Sequence, residues 1–324
     1  MSCEARLLPS VVEAIGDTPL VELSRLAKGC NGRILAKLEF LNPGFSKKDR
    51  IARQIIEDAE ADGTLAPGQT VVELTSGNTG TGLAIVCGIK RHPFVAVMSR
   101  GNSVERARQM TALGAEVVLV DQLPGSPPAE VSGGDLARAE DVAHRIAAER
   151  KAFRADQFRL QGNFRAHYLH TGPEILRQAA GIPIDAFCDF AGTGGSFAGC
   201  AAAFHEHDPN IQCFVVEPAG AAVLAGHPVT RPNHRIQGGG YSIADLPMLI
   251  DQRVDGCLQV TDEEAIAGAR KLAREEGIFS GFSSGANASA ALQLLSGPFA
   301  GRTVVILLND SGLKYLSTDL WETV

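Results

Sequence analysis

Two adjacent lysines, Lys47 and Lys48, stand in the segment NPGFSKKDR (residues 42–50), straight after a Gly- and Pro-bearing turn and at the start of a helical pattern. The N-terminal end of a helix already carries partial positive charge from its unpaired amides, so a cation there has the wrong sign for stability. One of the pair is therefore a candidate for chemistry, because crowding by positive charge disfavours the ammonium and leaves a reactive amine. Ser46 is expected to cap this helix, with Asp49 at the third position completing a capping box. The plainer reading makes both lysines solvated surface charges.

Three glycine-rich turns offer a second kind of chemistry. TSGNTGTG (75–82) follows the strand-like VVEL, GTGGSFAG (192–199) follows AFCDFA, and SSGANASAA (283–291) opens a helix of small residues. Such a turn binds anions, because free N–H groups and the helix dipole converge on one spot. A single one is common in any α/β fold. Three in one chain point to a ligand with more than one anionic group, gathered at the carboxyl ends of parallel strands. Neither common nucleotide fingerprint fits: no GxxxxGK[ST] is present, and GTGGSFAG lacks the GxGxxG order. Ser, Thr and Asn also cap helices and make turns, but here capping and binding coincide, since free capping amides are what anions use.

These groups must be positioned by an alternation of strands and helices. Strand-like runs occur at 34–40, 70–74, 94–98, 116–120, 186–190, 212–216 and 303–308, with helical patterns at 48–62, 78–89, 104–113, 135–150, 165–180, 262–276 and 284–295. Repeated β–α order with Val/Ile-rich strands marks a parallel sheet covered on both faces. There is no internal repeat. One Pro/Gly/Ser-rich loop, over 121–135, has the length of a functional or mobile connection.

The 324 residues suffice for two domains or one large α/β unit, with 45% hydrophobic and 21% charged residues. A net charge of −7 argues against nucleic acid or an anionic membrane as partner. No apolar run reaches the roughly 18–20 residues of a membrane span, and the start is not a secretory signal. Seven cysteines are scattered singly, without CxxC spacing, several inside apolar segments. They read as reduced thiols of a cytosolic (cytoplasmic) protein. The histidines, HEH at 205–207 and the pair His167 and His170, form no evident cluster, so no metal site is expected.

A phosphate loop, a carboxylate loop and a reactive lysine form a known constellation. The chain resembles the cysteine synthase / cystathionine β-synthase family of pyridoxal-phosphate enzymes, the fold-type II or tryptophan-synthase-β group. The resemblance runs from IGDTPLVEL (15–23) to KYLSTDLW (314–321), through NPGFSKKDR, ELTSGNTGTGLA, DQF, TGPEI, GTGGSFAG, VVEP, HRIQGGG and GFSSGA in the family's order. It implies two three-layer αβα domains with largely parallel twisted sheets and the cofactor in the cleft between them. A smaller, mobile domain would span 46–150, and a larger cofactor-phosphate domain 1–45 and 151–324. A homodimer is implied as well.

The family pattern Ser-x-Lys selects Lys48 as the Schiff-base lysine and makes Lys47 its variable neighbour. The resemblance implies that Gly192, Thr193, Gly194, Gly195 and Ser196 hold the phosphate of pyridoxal 5'-phosphate. Thr75, Ser76, Gly77, Asn78 and Thr79 would grip the substrate α-carboxylate, with Gln157 as a second contact, and Asn78 would also bond the cofactor's phenolic oxygen. Ser283 would face the pyridine nitrogen. A neutral hydroxyl there favours prompt loss of a leaving group from Cβ over a long-lived carbanion. The implied reaction is β-replacement on an activated serine, through an aminoacrylate, with freed Lys48 as base at Cα.

The chain departs from the family pattern at Leu160–Gln161–Gly162–Asn163–Phe164, which keeps one Asn, and at Gly238–Gly239–Gly240–Tyr241–Ser242–Ile243. The second segment normally lines the mouth of the site, so Gly239, Gly240 and Tyr241 are candidate contacts for the second substrate. The partners are thus a small amino acid and a small nucleophile: sulfide, or an amine or carbon nucleophile giving another β-substituted alanine. A lyase or dehydratase, and a quiet member acting through protein contacts, are the alternatives. Arg159, Arg165 and Arg235 are the candidates to recognise a phosphate leaving group; none is tied to that role, which favours O-acetylserine. No regulatory domain pair or haem-binding extension is expected.

Overall fold

Short Val-, Ile- and Phe-rich runs form the strands, and in the computed structural model, which describes residues 7–75, 77–125, 131 and 133–322, they build two sheets. In chain order the strands are β1 (Leu20–Glu22), β2 (Gly32–Lys37), β3 (Val71–Leu74), β4 (Phe94–Ser99), β5 (Glu116–Val120), β6 (Phe153–Arg154), β7 (Ala186–Phe190), β8 (Gln212–Pro218), β9 (Gly256–Val260) and β10 (Arg302–Leu307). The helices are α1 (Lys48–Ala61), α2 (Asn78–Lys90), α3 (Val104–Ala112), α4 (Gly133–Arg150), α5 (Gly162–Ala166), α6 (Gly172–Ala179), α7 (Gly195–His207), α8 (Asp262–Glu276) and α9 (Phe282–Leu295).

One sheet has the order β1-β2-β10-β7-β8-β9, parallel except for β1, and the other the all-parallel order β5-β4-β3-β6. Alternate residues of each strand face opposite layers. In β10, Val304 and Ile306 join the core under α8 and α9, whereas Val305 and Leu307 join the core under α6 and α7. In the smaller sheet, Val71, Ala96 and Met98 pack with α1, α2 and α3, while Val72, Val95 and Val97 pack with α4. Each sheet is thus the middle of three layers.

The helix expected over 165–180 is broken. A wide π turn over His167–Thr171 separates α5 from α6, and Pro173 stands in the first turn of α6. Proline has no N–H for the carbonyl four residues back, so the turn ahead of it cannot close as a regular helix. The strand expected over 34–40 stops at Lys37 and gives way to a tight helical turn over Glu39–Leu41. Sequence inspection passed over β1, β6 and β9, short segments without a run of branched residues.

A buried ion network ties α1 to the larger sheet. Arg50 bonds Glu39 at 2.7 Å and Glu174 at 2.8 Å, and Lys37 bonds the same Glu174 at 2.7 Å. All four side chains are buried.

Candidate active site

Helix α1 starts at Lys48, with Lys47 in the cap position and no side-chain cap. The expected capping box does not form. Ser46 Oγ receives the Lys48 amide at a long 3.3 Å, and the Asp49 carboxylate turns back to the Gly44 amide. The tight turn, with Phe45 at φ 62°, holds that amide within reach of the carboxylate. Burial then pushes Asp49 up to about 7.

The two lysines part company at the helix start. Lys47 is buried, its Nζ donating to Asp189 at 2.8 Å and to Ser196 Oγ at 2.7 Å. It is not a surface charge. Lys48 is partly exposed, and its Nζ lies 3.1 Å from Gln157 Oε1 and 3.4 Å from Thr193 Oγ1. Although the residue keeps some exposure, the protein packed around its ammonium, and after that the charge of Lys47, brings it down to about 7. Gly82 explains how α2 reaches it: a Cβ there would sit 3.0 Å from Asp49 Cα and 3.1 Å from the Lys48 carbonyl oxygen.

In the first glycine turn, Thr75 Oγ1 accepts from the Gly77 amide at 3.0 Å and the Gly80 amide at 2.9 Å. Thr79 donates to the same Gln157 Oε1 at 2.7 Å, so Gln157 joins this loop to Lys48. Gly77 has φ 141°, and a Cβ there would collide with the Arg106 side chain. Ser76 lies outside the described residues. Asn78 is held on both sides: its Nδ2 donates to Asp310 at 2.7 Å and its Oδ1 accepts from Lys314 at 2.6 Å.

The second turn, Gly192–Ser196, follows the carboxyl end of β7. Asn163 donates to Thr193 Oγ1 at 2.7 Å and packs against Gly195, where a side chain would strike it. Thr193 therefore accepts and keeps its own proton to give. Ser196 instead donates to Asp189 at 2.5 Å while accepting from Lys47. The Gly238–Gly240 run packs back to back on this turn. The Gly240 amide bonds the Ala191 carbonyl at 2.9 Å, and a Cβ on Gly192 would lie 2.8 Å from the Gly238 carbonyl oxygen. Gly239 and Gly240 thus support the turn through their backbone, and Tyr241 beyond them is half-buried with its ring 5.9 Å from that of Phe158.

At the third turn, Ser283 Oγ accepts from Asn309 Nδ2 at 3.1 Å, which leaves the serine its proton. Asn309 also binds the Lys47 amide through its carbonyl at 2.9 Å. Hydrogen bonds through Gln157 and Thr193 thus join the first two turns to Lys48, and Asn309 ties the third turn to the neighbouring Lys47 backbone.

The helix caps test whether an anionic, aldehyde-bearing group such as pyridoxal phosphate suits these residues. α2, α7 and α9 each start from a glycine cap with no side-chain hydrogen bond. α1, α3, α5 and α6 also lack a bond from the cap side chain, and α8 has a complete capping box of Thr261 and Glu264; what sets α2, α7 and α9 apart is a glycine in the cap position. The first amides of a helix have no intrahelical partner, so three helix ends at one site offer donors to anions beside a lysine poised as an amine. The residues fit the group.

Sequence reasoning missed Asp189, Asp310, Lys314 and Arg106. Asp189 had a signal, an acid inside the apolar strand AFCDF. Lys314, brought down to about 8 by burial, and Asp310 follow the carboxyl end of β10, where ligand-facing groups collect in parallel sheets. Arg106 donates to Gln237 at 2.7 Å and lies over the Tyr315 ring, 5.5 Å from its centre. The three arginines considered for a phosphate leaving group pair elsewhere: Arg159 with Asp156, Arg165 with Asp58, Arg235 with Asp319.

The HEH segment is less isolated than expected. His205, Cys213 and Asp255 bring their polar atoms within 4.8 Å of one another. Asp255, however, already serves Arg253 and the Cys213 amide, and burial pushes the Cys213 thiol up, which keeps it protonated.

The family described as "Pyridoxal-phosphate dependent enzyme" matches residues 11–310. Cysteine synthase 3 of Caenorhabditis elegans is 40% identical over 315 residues, covering 96% of this chain and 89% of that protein. The solved O-acetyl serine sulfhydrylase isoform 3 of Entamoeba histolytica superposes with a TM-score of 0.87 at 34% identity, over 100% of this chain and 94% of its own. An O-ureido-L-serine synthase structure gives a TM-score of 0.85 at 35% identity, covering 98% and 96%.

Proposed function

The chain belongs to the pyridoxal-phosphate dependent enzyme family, and from that premise we propose that it is a transferase performing β-replacement on O-acetylserine, giving cysteine or another β-substituted alanine. The observation that carries this reading is the place of Lys48 Nζ, between Gln157 of the carboxylate-loop network and Thr193 of the phosphate turn.

Pyridoxal phosphate, when bound, supplies an electron sink that eases loss of the Cα proton and departure of the Cβ substituent. Lys48 would hold its aldehyde end. The amides of Gly192 to Ser196 and the Thr193 hydroxyl would hold its phosphate, Asn78 would meet its phenolic oxygen, and Ser283 would offer a neutral donor to its ring nitrogen. Thr75, Ser76, Gly77, Asn78, Thr79 and Gln157 would bind and orient the substrate carboxylate. With an amine available near neutral pH, Lys48 Nζ is suited to take the proton from Cα and return it at the end. Tyr241 and Phe158 would screen the mouth of the site from water.

The same reading places the site between a unit built on the smaller sheet, over 46–150, and one built on the larger. It also assigns the protein to the cytosol as a homodimer. No helix among the described residues is long and apolar enough to cross a membrane.

The test is product identification by mass spectrometry with O-acetyl-L-serine and either sulfide, a panel of amines and carbon acids, or no nucleophile. A β-substituted alanine is expected. Only pyruvate and ammonia under every condition would make it a lyase, and turnover confined to O-phosphoserine would overturn the leaving group.

A further inference from the structure

We propose that Lys47, held by Asp189, is the cation of the cofactor-phosphate turn and serves the phosphate as a charged donor in place of the neutral Ser196 hydroxyl at the start of α7. The inference rests on the cofactor reading above and adds a residue to it.

Hydroxyl geometry leads to this assignment. Ser196 has one proton, and a carboxylate oxygen of Asp189 at 2.5 Å can only accept it. Ser196 must then accept from Lys47, so its hydroxyl has no donor left for an anion in front of the helix. Lys47 has three N–H bonds. All three have acceptors, Ser196 Oγ at 2.7 Å and the two Asp189 oxygens at 2.8 and 3.1 Å, so a phosphate oxygen would take over the N–H of the longest of these bonds.

The pair also has a direction. The Asp189 side chain is fully buried in β7, where Asn287 adds a further donor at 3.0 Å, whereas the Lys47 side chain retains 10% exposure. Its positive end therefore lies toward the turn and its negative end toward the core. An ammonium beside a helix N-terminus is unfavourable on its own. It becomes favourable when an anion shares the spot, as a charge-assisted hydrogen bond to phosphate.

The experiment compares pyridoxal phosphate with pyridoxal, which lacks the phosphate, as ligands of the full-length protein stripped of cofactor. Binding is followed by absorbance and by quenching of Trp321 fluorescence. Lys47→Met alone leaves Asp189 as an unpaired buried anion, so the decisive variant is Lys47→Met with Asp189→Asn. Lys47→Gln, which keeps a hydrogen bond to Asp189, is the second variant if the first does not fold. The expected result is about a tenfold or larger loss of affinity for pyridoxal phosphate, with affinity for pyridoxal unchanged, and weaker competition by inorganic phosphate. Equal losses for both ligands, or no loss, overturn the inference. Failure of the unmodified protein to bind pyridoxal phosphate would instead overturn the cofactor reading.

Discussion

At the scale of the residue, the role proposed for Lys48 requires it uncharged. Its folded value of about 7, against the usual 10.5, sets the window: the amine fraction rises as pH increases through 7 and is nearly complete by 8. Uptake of pyridoxal phosphate by the stripped protein should climb with a midpoint near pH 7 and then level off. A midpoint near 10 would show that the site does not depress this lysine. Lys48→Ala should abolish the yellow absorbance, whereas Lys47→Ala should retain it at saturating cofactor. The Ser-x-Lys register pointed to Lys48, whose Nζ the fold sets between Gln157 and Thr193. The fate of Lys47 was not legible in the sequence, because Asp189 is 142 positions away and only the fold brings them together. Tyr241 carries a second prediction. Its half-buried ring beside Phe158 suits an organic nucleophile better than sulfide, which needs little room. Tyr241→Ala should leave the first half-reaction, loss of acetate, nearly intact and slow the second about tenfold, roughly one hydrogen bond's worth. Stopped-flow absorbance separates the two, and a slowed first step would remove Tyr241 from the choice of nucleophile.

At the scale of the element, α1 is anchored by the ions on its buried side. Arg50→Met strands Glu39 and Glu174 without their shared cation, and should cost about 3–5 kcal/mol in urea unfolding. Glu174 is held down at about 2, with burial opposing and Arg50 and Lys37 overcoming it. A depressed carboxyl contributes stability that is fully present above its unfolded value, near 4.5, and is lost as pH falls toward 2. Melting temperatures of the unmodified protein should therefore drop across that window, and less steeply in Glu174→Gln. An unchanged slope would assign acid unfolding to other groups. The elements that were legible, such as α8 and β5, have a clear periodicity or a branched run. The β9 segment GCLQV has neither, and its strand exists because β8 offers an edge to pair with. The break before α6 was marked by Pro173, but proline is also at home in a first helical turn, so its effect on the preceding turn was hidden.

At the scale of the molecule, side chains at the proposed site join the two layer systems. Asn78 and Arg106 come from helices of the smaller layer system, and Asp310, Lys314 and Gln237 from segments beyond strands of the larger one. Three glycine turns in sequence announced this meeting point, though not the partners that close it. Helices α2, α7 and α9 start from glycine caps, each of which forgoes roughly a few tenths of a kcal/mol against a side-chain cap, although Thr75 already serves the Gly80 amide of α2. The stripped protein should accordingly melt lower than the loaded one, with inorganic phosphate restoring part of the difference; identical melting would mean that these helix ends are satisfied in some other way. Helix ends that look to a ligand for acceptors would also make vitamin supply a determinant of abundance. A chain finished while the vitamer is scarce opens more often and meets proteases sooner, so starvation for the prosthetic group would lower the number of molecules as well as the fraction that work.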